Sequence, residues 1–596
     1  MNRVGRNAYI LYVAVSLVLG GTWAAVGTSR RHAPASSPSV APVFASAAAI
    51  AAAESVRATG SDPLQPPDLS RLTTTLPAGE FLVGVGEQSL APDPTKVQWD
   101  TAKTPCVKED STLVDPGVSD LAGAALDGHL PPGWPKSPNC VYLGGFGLGP
   151  SRPATGVDPY AGVKVRSIAI SNGKDTVVWQ SLDMVGFFSR YRPDLCTPGC
   201  GMLDIREAIA SATFDKVPMD NIAVNATHTH GGADGYGPWG GIPNWYRAQI
   251  RDQAIKSAYD ALRGLTPATI AVGSVEARPF NNERRDTYYS AADYGAVWLQ
   301  ARQLPARRSS AADEPVVATL VNFAAHPTVI GDENTLMHSD WIGTAGKELG
   351  AALGGAGVVV QGALGNVSPS TLRVAPRDLN GDRKTDNSDN AIQMARDFAS
   401  FIGADIARGG YVLTSNRITT KTVSIAHPAG NWVEAVGSLA NLLDREFAFP
   451  SKGANGPSSY TWRKSAEAPP LGTCVSAGAV SVKTDVSGFR IGELTVVTAP
   501  GELFGTMAEV VKSKTRANGW AVGADGQVTP TGQTMVFGQT QDTLGYIIQH
   551  FEVDPAGGVT NNTDPPLGEY EEELMVDRCF GDHVLQTQLD LLRQLS

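Results

Sequence analysis

Apolar positions change their period along the chain, and each change marks an element. Residues 163–170 and 176–184 are Val- and Ile-rich runs on either side of Ser171-Asn172-Gly173-Lys174. Asn-Gly accepts the positive φ of a type I′ turn, so this stretch predicts a hairpin. Residues 221–230, 315–325, 358–361 and 494–498 are short apolar runs that read as further strands. Over 245–262 the period lengthens to that of a helix: Ile250, Ala254, Ala258, Ala261 and Leu262 share one face, which Gly264 ends. Ile392, Ala395, Ala399, Ile402 and Ile406 predict a second helix over 389–407. Strand-like and helix-like segments alternate from Phe81 onward without a repeat of 20–50 residues, which predicts an α/β fold of mixed β-sheets flanked by helices and not a solenoid or propeller.

The N-terminus departs from this alternation. Arg3 and Arg6 precede an uncharged apolar run over 8–26, and Arg30 and Arg31 follow it. Residues 1–32 therefore read as an export signal. The run exceeds the roughly 7–15 residues of a cleavable segment and approaches the ~20 that span a bilayer, so a signal peptide and an uncleaved membrane anchor both fit. Residues 33–75, rich in Ala, Ser and Pro, read as a linker, and 76–596 as the folded body. Six cysteines in an exported chain predict disulfides. The spacing Cys196-Thr-Pro-Gly-Cys200 favours a small local loop and leaves the pairings of Cys106, Cys140, Cys474 and Cys579 open. Hydrophobic residues at 42% supply a core, and Lys+Arg 48 against Asp+Glu 59 gives a net charge of −11. A polyanion would meet net repulsion, so no nucleic-acid partner is expected.

Candidate chemistry clusters at strand ends. Thr227-His228-Thr229-His230 closes the strand over 221–230, where residues two apart project to the same face, so two imidazoles share one surface. The small residues Gly231-Gly232-Ala233-Asp234-Gly235 after it would let a ligand approach the backbone. His326 follows the apolar run Leu320-Val321-Asn322-Phe323-Ala324-Ala325, as a site residue or a hydrogen-bonded core histidine. Glu502 follows the strand over 494–498 and would supplement the histidines around a metal ion or serve the N-terminus of a helix. Ser368 in Gly365-Asn366-Val367-Ser368-Pro369 sits at a predicted tight turn as nucleophile, substrate hydrogen-bonder or turn former; the chain lacks the Gly-x-Ser-x-Gly elbow of α/β hydrolases there. Asp378, Asn380, Asp382, Lys384, Asp386 and Asp389 follow the spacing of a Ca2+ loop, with Arg383 where Gly is expected; a hydrated polar loop explains them equally. The sequons at Asn225 and Asn366 fall inside this candidate site, where a glycan would block entry.

In their order along the chain these blocks resemble the neutral/alkaline non-lysosomal ceramidase family. The resemblance runs from Phe81-Leu82-Val83-Gly84-Val85-Gly86 to Tyr570-Glu571. The family's Ser-Gly-Thr-His-Thr-His block is similar to Asn225-Ala226-Thr227-His228-Thr229-His230, and its Asn-Trp-Phe-Ala-x-His block to Val321-Asn322-Phe323-Ala324-Ala325-His326 with Ser339-Asp340 after it. Gly-Asp-Val-Ser-Pro-Asn resembles residues 365–370, and Pro-Gly-Glu-Phe resembles Pro500-Gly501-Glu502-Leu503. The resemblance implies one large zinc-hydrolase catalytic domain with Zn2+ held by His228, His326, Glu502 and Tyr546. It implies Ser368, His230, Tyr570 and Arg284 as catalytic residues, Arg284 standing in an altered Asn-Arg block.

The implied reaction is cleavage of the N-acyl bond of ceramide or a related N-acyl lipid by a metal-activated water, outside the cytoplasm, with membrane attachment through the N-terminal segment if it stays uncleaved. Three departures bear on the substrate. Gly231-Gly232-Ala233 replaces Ser-Gly-Pro, the Thr-Thr and Glu-Glu-Tyr after the ligand tyrosine are missing after Ile547, and the C-terminal β-sandwich of many members does not fit after Tyr570. They keep open a same-scaffold zinc hydrolase for another acyl amide or ester. A non-catalytic binding protein on the scaffold is a third reading.

Overall fold

The computed structural model describes residues 65–70, 72–99, 106, 139–146, 150–285, 291–305, 314–370, 375–381, 383–431, 443–446, 474, 480–517, 533–553 and 570–595. The export signal and most of the linker lie outside them. Among the described residues no helix is long and apolar enough to cross a membrane.

Two sheets form the centre. The larger contains β1 (Phe81–Ser89), β2 (Lys164–Ser171), β3 (Thr176–Leu182), β4 (Ile222–Ala226), β5 (Thr266–Glu276), β6 (Gly295–Gln303), β7 (Val316–Phe323) and β8 (Ala356–Gln361) in the order β8-β7-β6-β5-β1-β2-β3-β4, with Tyr411–Val412 beside β5. The β8/β7 and β3/β4 pairs are parallel and the other neighbours antiparallel. The smaller sheet orders β9 (Ile418–Pro428), β10 (Ser481–Ile491), β11 (Leu494–Thr498) and β12 (Thr534–Phe537) side by side.

Period-2 alternation decides what each strand faces. Ile168 and Ile170 of β2, Leu320 of β7, and Val358 and Val360 of β8 point between the sheets, where they meet Phe489, Ile491, Val496 and Phe537. Trp179 of β3 stands edge-on to Phe489 at 5.8 Å and to Phe537 at 5.4 Å, joining the two sheets. Side chains of the opposite parity pack outward on helices: Val165 and Val178 on α2 (Asn244–Arg263), beside α1 (Met202–Ala212), and Val321 and Val359 on α3 (Asp340–Leu353) and α4 (Asn387–Ile406). Val486, Val497 and Val536 face α5 (Gly505–Ala517) and α6 (Phe580–Leu595). The result is helix, sheet, sheet, helix, as the α/β reading expected. Each fully buried Leu- or Phe-sized side chain contributes roughly 1.5–3 kcal/mol against exposure.

The large sheet curls as it twists, and its distant edges come together. About 20–25° per strand over seven steps amounts to roughly half a turn. The β3–β4 edge thereby approaches β8: Ser181 Oγ donates to the Val359 carbonyl at 2.8 Å, and Gln361 N–H to Asn225 Oδ1 at 3.4 Å. Both edges therefore present their C-terminal ends to one region.

Several local expectations change in detail. The hairpin exists, with Ser171 opposite Thr176, but only Gly173 in its turn has positive φ, +90°. Asn172 acts through its side chain instead, its Oδ1 accepting from the N–H groups of Lys174 at 3.0 Å and Asp175 at 2.7 Å, so the turn is not type I′. The helix predicted over 389–407 begins at Asn387, because Asp386 caps it by accepting from Ser388 N–H at 2.9 Å. All six cysteines pair, as Cys106–Cys140, Cys196–Cys200 and Cys474–Cys579, which leaves none for a metal.

Candidate metal centre

Strand β4 ends at Ala226, sooner than its apolar pattern indicates, and His228 has φ +65°. Left-handed backbone costs a non-glycine residue on the order of 1–3 kcal/mol and persists only where the surroundings enforce it. The shared face of His228 and His230 therefore comes from a turn and not from the pleat. Their rings lie 5.0 Å apart edge-on, with Nε2 to Nε2 at 3.4 Å. Phe146 closes the far side of His230, ring centroids 4.7 Å apart.

His326 follows β7, and its N–H donates to the Val367 carbonyl at 3.1 Å. Glu502 lies in the short strand Glu502–Leu503, which pairs in parallel with Tyr546–Ile547 so that Glu502 stands opposite Tyr546. Helix α5 begins only at Gly505, so Glu502 sits in extended backbone ahead of the first helical turn.

His228 Nδ1 lies 2.6 Å from the Val185 carbonyl and His326 Nδ1 2.8 Å from that of Val367. A carbonyl only accepts, so each Nδ1 carries the proton and each Nε2 presents a lone pair. Both Nε2 atoms face one oxygen, Glu502 Oε2, at 3.6 Å from His228 and 3.0 Å from His326. Lone pairs aimed at an anionic oxygen in a buried site repel unless a cation stands among them. The ligand atoms of His228, His326 and Glu502 all lie within 4.8 Å of one another, and all three residues are buried.

Protonation agrees. Burial, reinforced by Arg284, pushes His326 down to about 4 despite the Glu502 contact. Burial alone would raise Glu502, yet its surroundings, the Arg284 guanidinium among them, hold it at about 2. Burial and then His228 and His326 push His230 well below its usual range. A neutral His326 and an ionised Glu502 are the states a divalent cation requires. Ligands ~2.0–2.2 Å from a tetrahedral zinc ion lie roughly 3.3–3.6 Å apart, close to the observed spacings, so these residues fit the ion.

Among the other site candidates, Arg284 and Tyr546 lie beside this cluster. Arg284 donates to the Gly365 carbonyl at 2.5 Å, lies 3.4 Å from the Tyr546 hydroxyl and pairs with Glu571 at 3.0 Å. The Tyr546 and His326 rings are 6.4 Å apart. Ser368 occupies the short strand Val367–Pro369, opposite Asn282, and not the expected tight turn. Tyr570 opens the short helix Tyr570–Glu573, and its side chain lies outside the described residues.

The 378–389 loop has a different logic. Asp378 accepts from Gly381 N–H at 2.6 Å and Arg383 N–H at 2.8 Å, while Asp389 accepts from the N–H groups of Leu379, Asn380 and Asp386. Asn380 donates to Asp158 at 3.0 Å. These bonds use the oxygens for the turn and the helix cap, as the polar-loop reading of Asp378, Asn380, Asp386 and Asp389 expects; Asp382 lies outside the described residues. The sequon residues Asn225 and Asn366 are buried, and the latter donates to Glu283.

Sequence reading missed Gln539 and the role of Glu571. Gln539, buried with φ +48°, places Nε2 3.3 Å from His228 Nδ1. Glu571 stood inside a quoted motif, where its pairing with Arg284 has no sequence signal.

No protein-family model matches the chain, and no curated protein does. Solved structures share its fold, two of them ceramidases. The neutral ceramidase from Pseudomonas aeruginosa aligns with TM-score 0.56 at 15% identity, covering 88% of this chain and 75% of that one. A ceramidase complexed with C2 aligns with TM-score 0.54 at 15% identity, covering 87% and 75%.

Proposed function

We propose that the protein is a zinc-dependent amidohydrolase that cleaves the N-acyl bond of ceramide or a related N-acyl lipid. The observation that carries this reading is the convergence of two imidazole lone pairs on Glu502 Oε2, within a fold similar to that of ceramidase structures. His228, His326 and Glu502 would hold the ion, with Tyr546 as fourth donor. Bound zinc lowers the pKa of water toward ~7 and polarises an acyl oxygen.

The chain's own groups supply the rest. Arg284, anchored by Glu571 and the Gly365 carbonyl, carries fixed positive charge beside the Tyr546 hydroxyl, where it offsets negative charge developing on a carbonyl oxygen. Neutral His230 stands beside His228 to hydrogen-bond the substrate amide. Ser368 orients the substrate, and Tyr570 is a second donor toward the oxyanion. An enzyme with these disulfides would work in an oxidising compartment outside the cytoplasm, and the N-terminal signal would carry it there.

One observation favours a second reading, the same scaffold acting on a different acyl amide or ester. Gly231-Gly232-Ala233 carries no hydroxyl, and the backbone packs too closely to regain bulk there: a Cβ on Gly231 would meet the His338 carbonyl at 2.6 Å. Elemental analysis combined with hydrolysis of ceramide and of short N-acyl amides separates the readings. His228→Ala should lose both zinc and hydrolysis, and a metal-free variant with full activity would refute the ligand assignment.

A further inference from the structure

Gln361 ends β8 as the one polar side chain of Val358-Val359-Val360-Gln361, and it is fully buried. Its amide reaches two loops that are remote in sequence. Nε2 donates to the Thr227 carbonyl at 3.0 Å and to the Ala325 carbonyl at 3.1 Å. Oε1 accepts from Ala325 N–H at 3.4 Å and Gly362 N–H at 3.2 Å. Thr227 immediately precedes His228, and Ala325 immediately precedes His326. Both donors of one amide are thus committed to the peptide planes from which the two histidines project.

We infer that Gln361 is a positioning residue that sets the separation and aim of the His228 and His326 side chains toward a shared divalent cation; this rests on the metal reading proposed above. The geometry leaves little latitude. The orientation of the Thr227 carbonyl goes with the left-handed backbone at His228, and a group that fixes the carbonyl fixes the turn. Strand β8 pairs directly with β7, which leads to His326, and lies against β4, which leads to His228, so a side chain at its C-terminal end can span both. An amide is required, because a carboxylate of the same size would oppose two carbonyl oxygens and a thioether would satisfy neither.

Gln541 provides the matched comparison. It is another buried glutamine, donating to the Ile222 carbonyl at 2.8 Å and to Ser487 Oγ at 3.0 Å, and accepting from Val224 N–H at 3.4 Å. It supports β4 as Gln361 does but touches no residue adjacent to a histidine ligand.

The test measures Zn2+ affinity of the full chain by competition with a chelator, together with the Tm of zinc-free protein, for wild type, Gln361→Met, Gln361→Asn and Gln541→Met. Both methionine variants should lower the zinc-free Tm comparably. Gln361→Met should weaken Zn2+ binding ~10–100-fold, the range typical of groups that orient ligands, while Gln541→Met stays within about twofold of wild type. Gln361→Asn, one methylene too short to reach both carbonyls, should weaken binding in the same direction and serves if the methionine variant does not fold. Wild-type affinity in the Gln361 variants, or equal weakening in Gln541→Met, would overturn the assignment while leaving the metal reading standing. A wild-type chain that binds no Zn2+ would overturn both.

Discussion

Among the described residues, two clusters each combine two histidines with a carboxylate, and one of them is arranged for a cation. In the first, His228 and His326 turn Nδ1 to backbone carbonyls and aim both Nε2 atoms at one oxygen of Glu502. In the second, His427 of β9 and His583 of α6 face each other through Nδ1 at 3.2 Å, and His427 Nε2 reaches Asp577 at 3.2 Å. Asp577 Oδ1 also accepts from Cys579 N–H at 2.8 Å. The second cluster is a chain in which each lone pair meets a neighbour's proton, so it joins β9 to the C-terminal helix. Residue type is shared, and His427 is as buried as His228 and His326; convergence of lone pairs on one point is not shared.

The largest test of that contrast exchanges the same side chain in both places. His326→Ala should empty the zinc site by elemental analysis and lower hydrolysis by more than the ~10²–10³-fold that one oxyanion donor is worth. His427→Ala should keep its zinc and lose roughly 1–3 kcal/mol in denaturant unfolding, the cost of leaving buried polar groups unsatisfied. Zinc loss from His427→Ala would erase the distinction.

A smaller effect comes from pH. Burial pushes His326 and His583 each down to about 4, with Arg284 adding at His326 and His427 at His583. In the unfolded chain both imidazoles titrate near ~6.5. Between these values the unfolded state binds more protons, so zinc-free protein loses stability as pH falls from about 6.5 to about 4, by at most about 1.4 kcal/mol per pH unit for each group. Partial solvent access lessens the share of His583. Denaturant midpoints at pH 7, 5.5 and 4.5 with chelator present measure the slope, and a flat profile would contradict it. Saturating zinc should leave the His583 part unchanged and carry the His326 part on below about pH 4, because the metal keeps the proton off that imidazole in the folded state.

The smallest effect extends the comparison to the 378–389 loop. Asp389→Ala removes a capping carboxylate and should cost roughly 0.5–2 kcal/mol, with the Tm of wild type and variant alike unmoved by added Ca2+. A calcium-dependent rise in the wild-type Tm would make that loop a second cation site.

Much of this was readable before any coordinates. The apolar runs at β11 and β8, the helical face from Ile250 to Leu262 and the stop at Gly264 are local, and they appear where the pattern placed them. Of the four ligand candidates, which are far apart in the chain, His228, His326 and Glu502 stood out by their strand-end positions and Tyr546 only by ordered motif resemblance. What misled was local as well: Asn-Gly suggested a turn type that Asn172 bypasses through its side chain, and the run over 221–230 concealed the left-handed residue at His228.

Periodicity, turn chemistry and capping act over a few residues, so the order of amino acids was enough to set the elements, the two-faced strands and the identity of the chemically able side chains. Whether those side chains meet depends on the curl of the twisted sheet, which brings β4 to β8, and on a buried amide at Gln361 that reaches two loops at once. These are long-range terms: each needs the whole sheet in place before it has any energy, and no short window of sequence contains them.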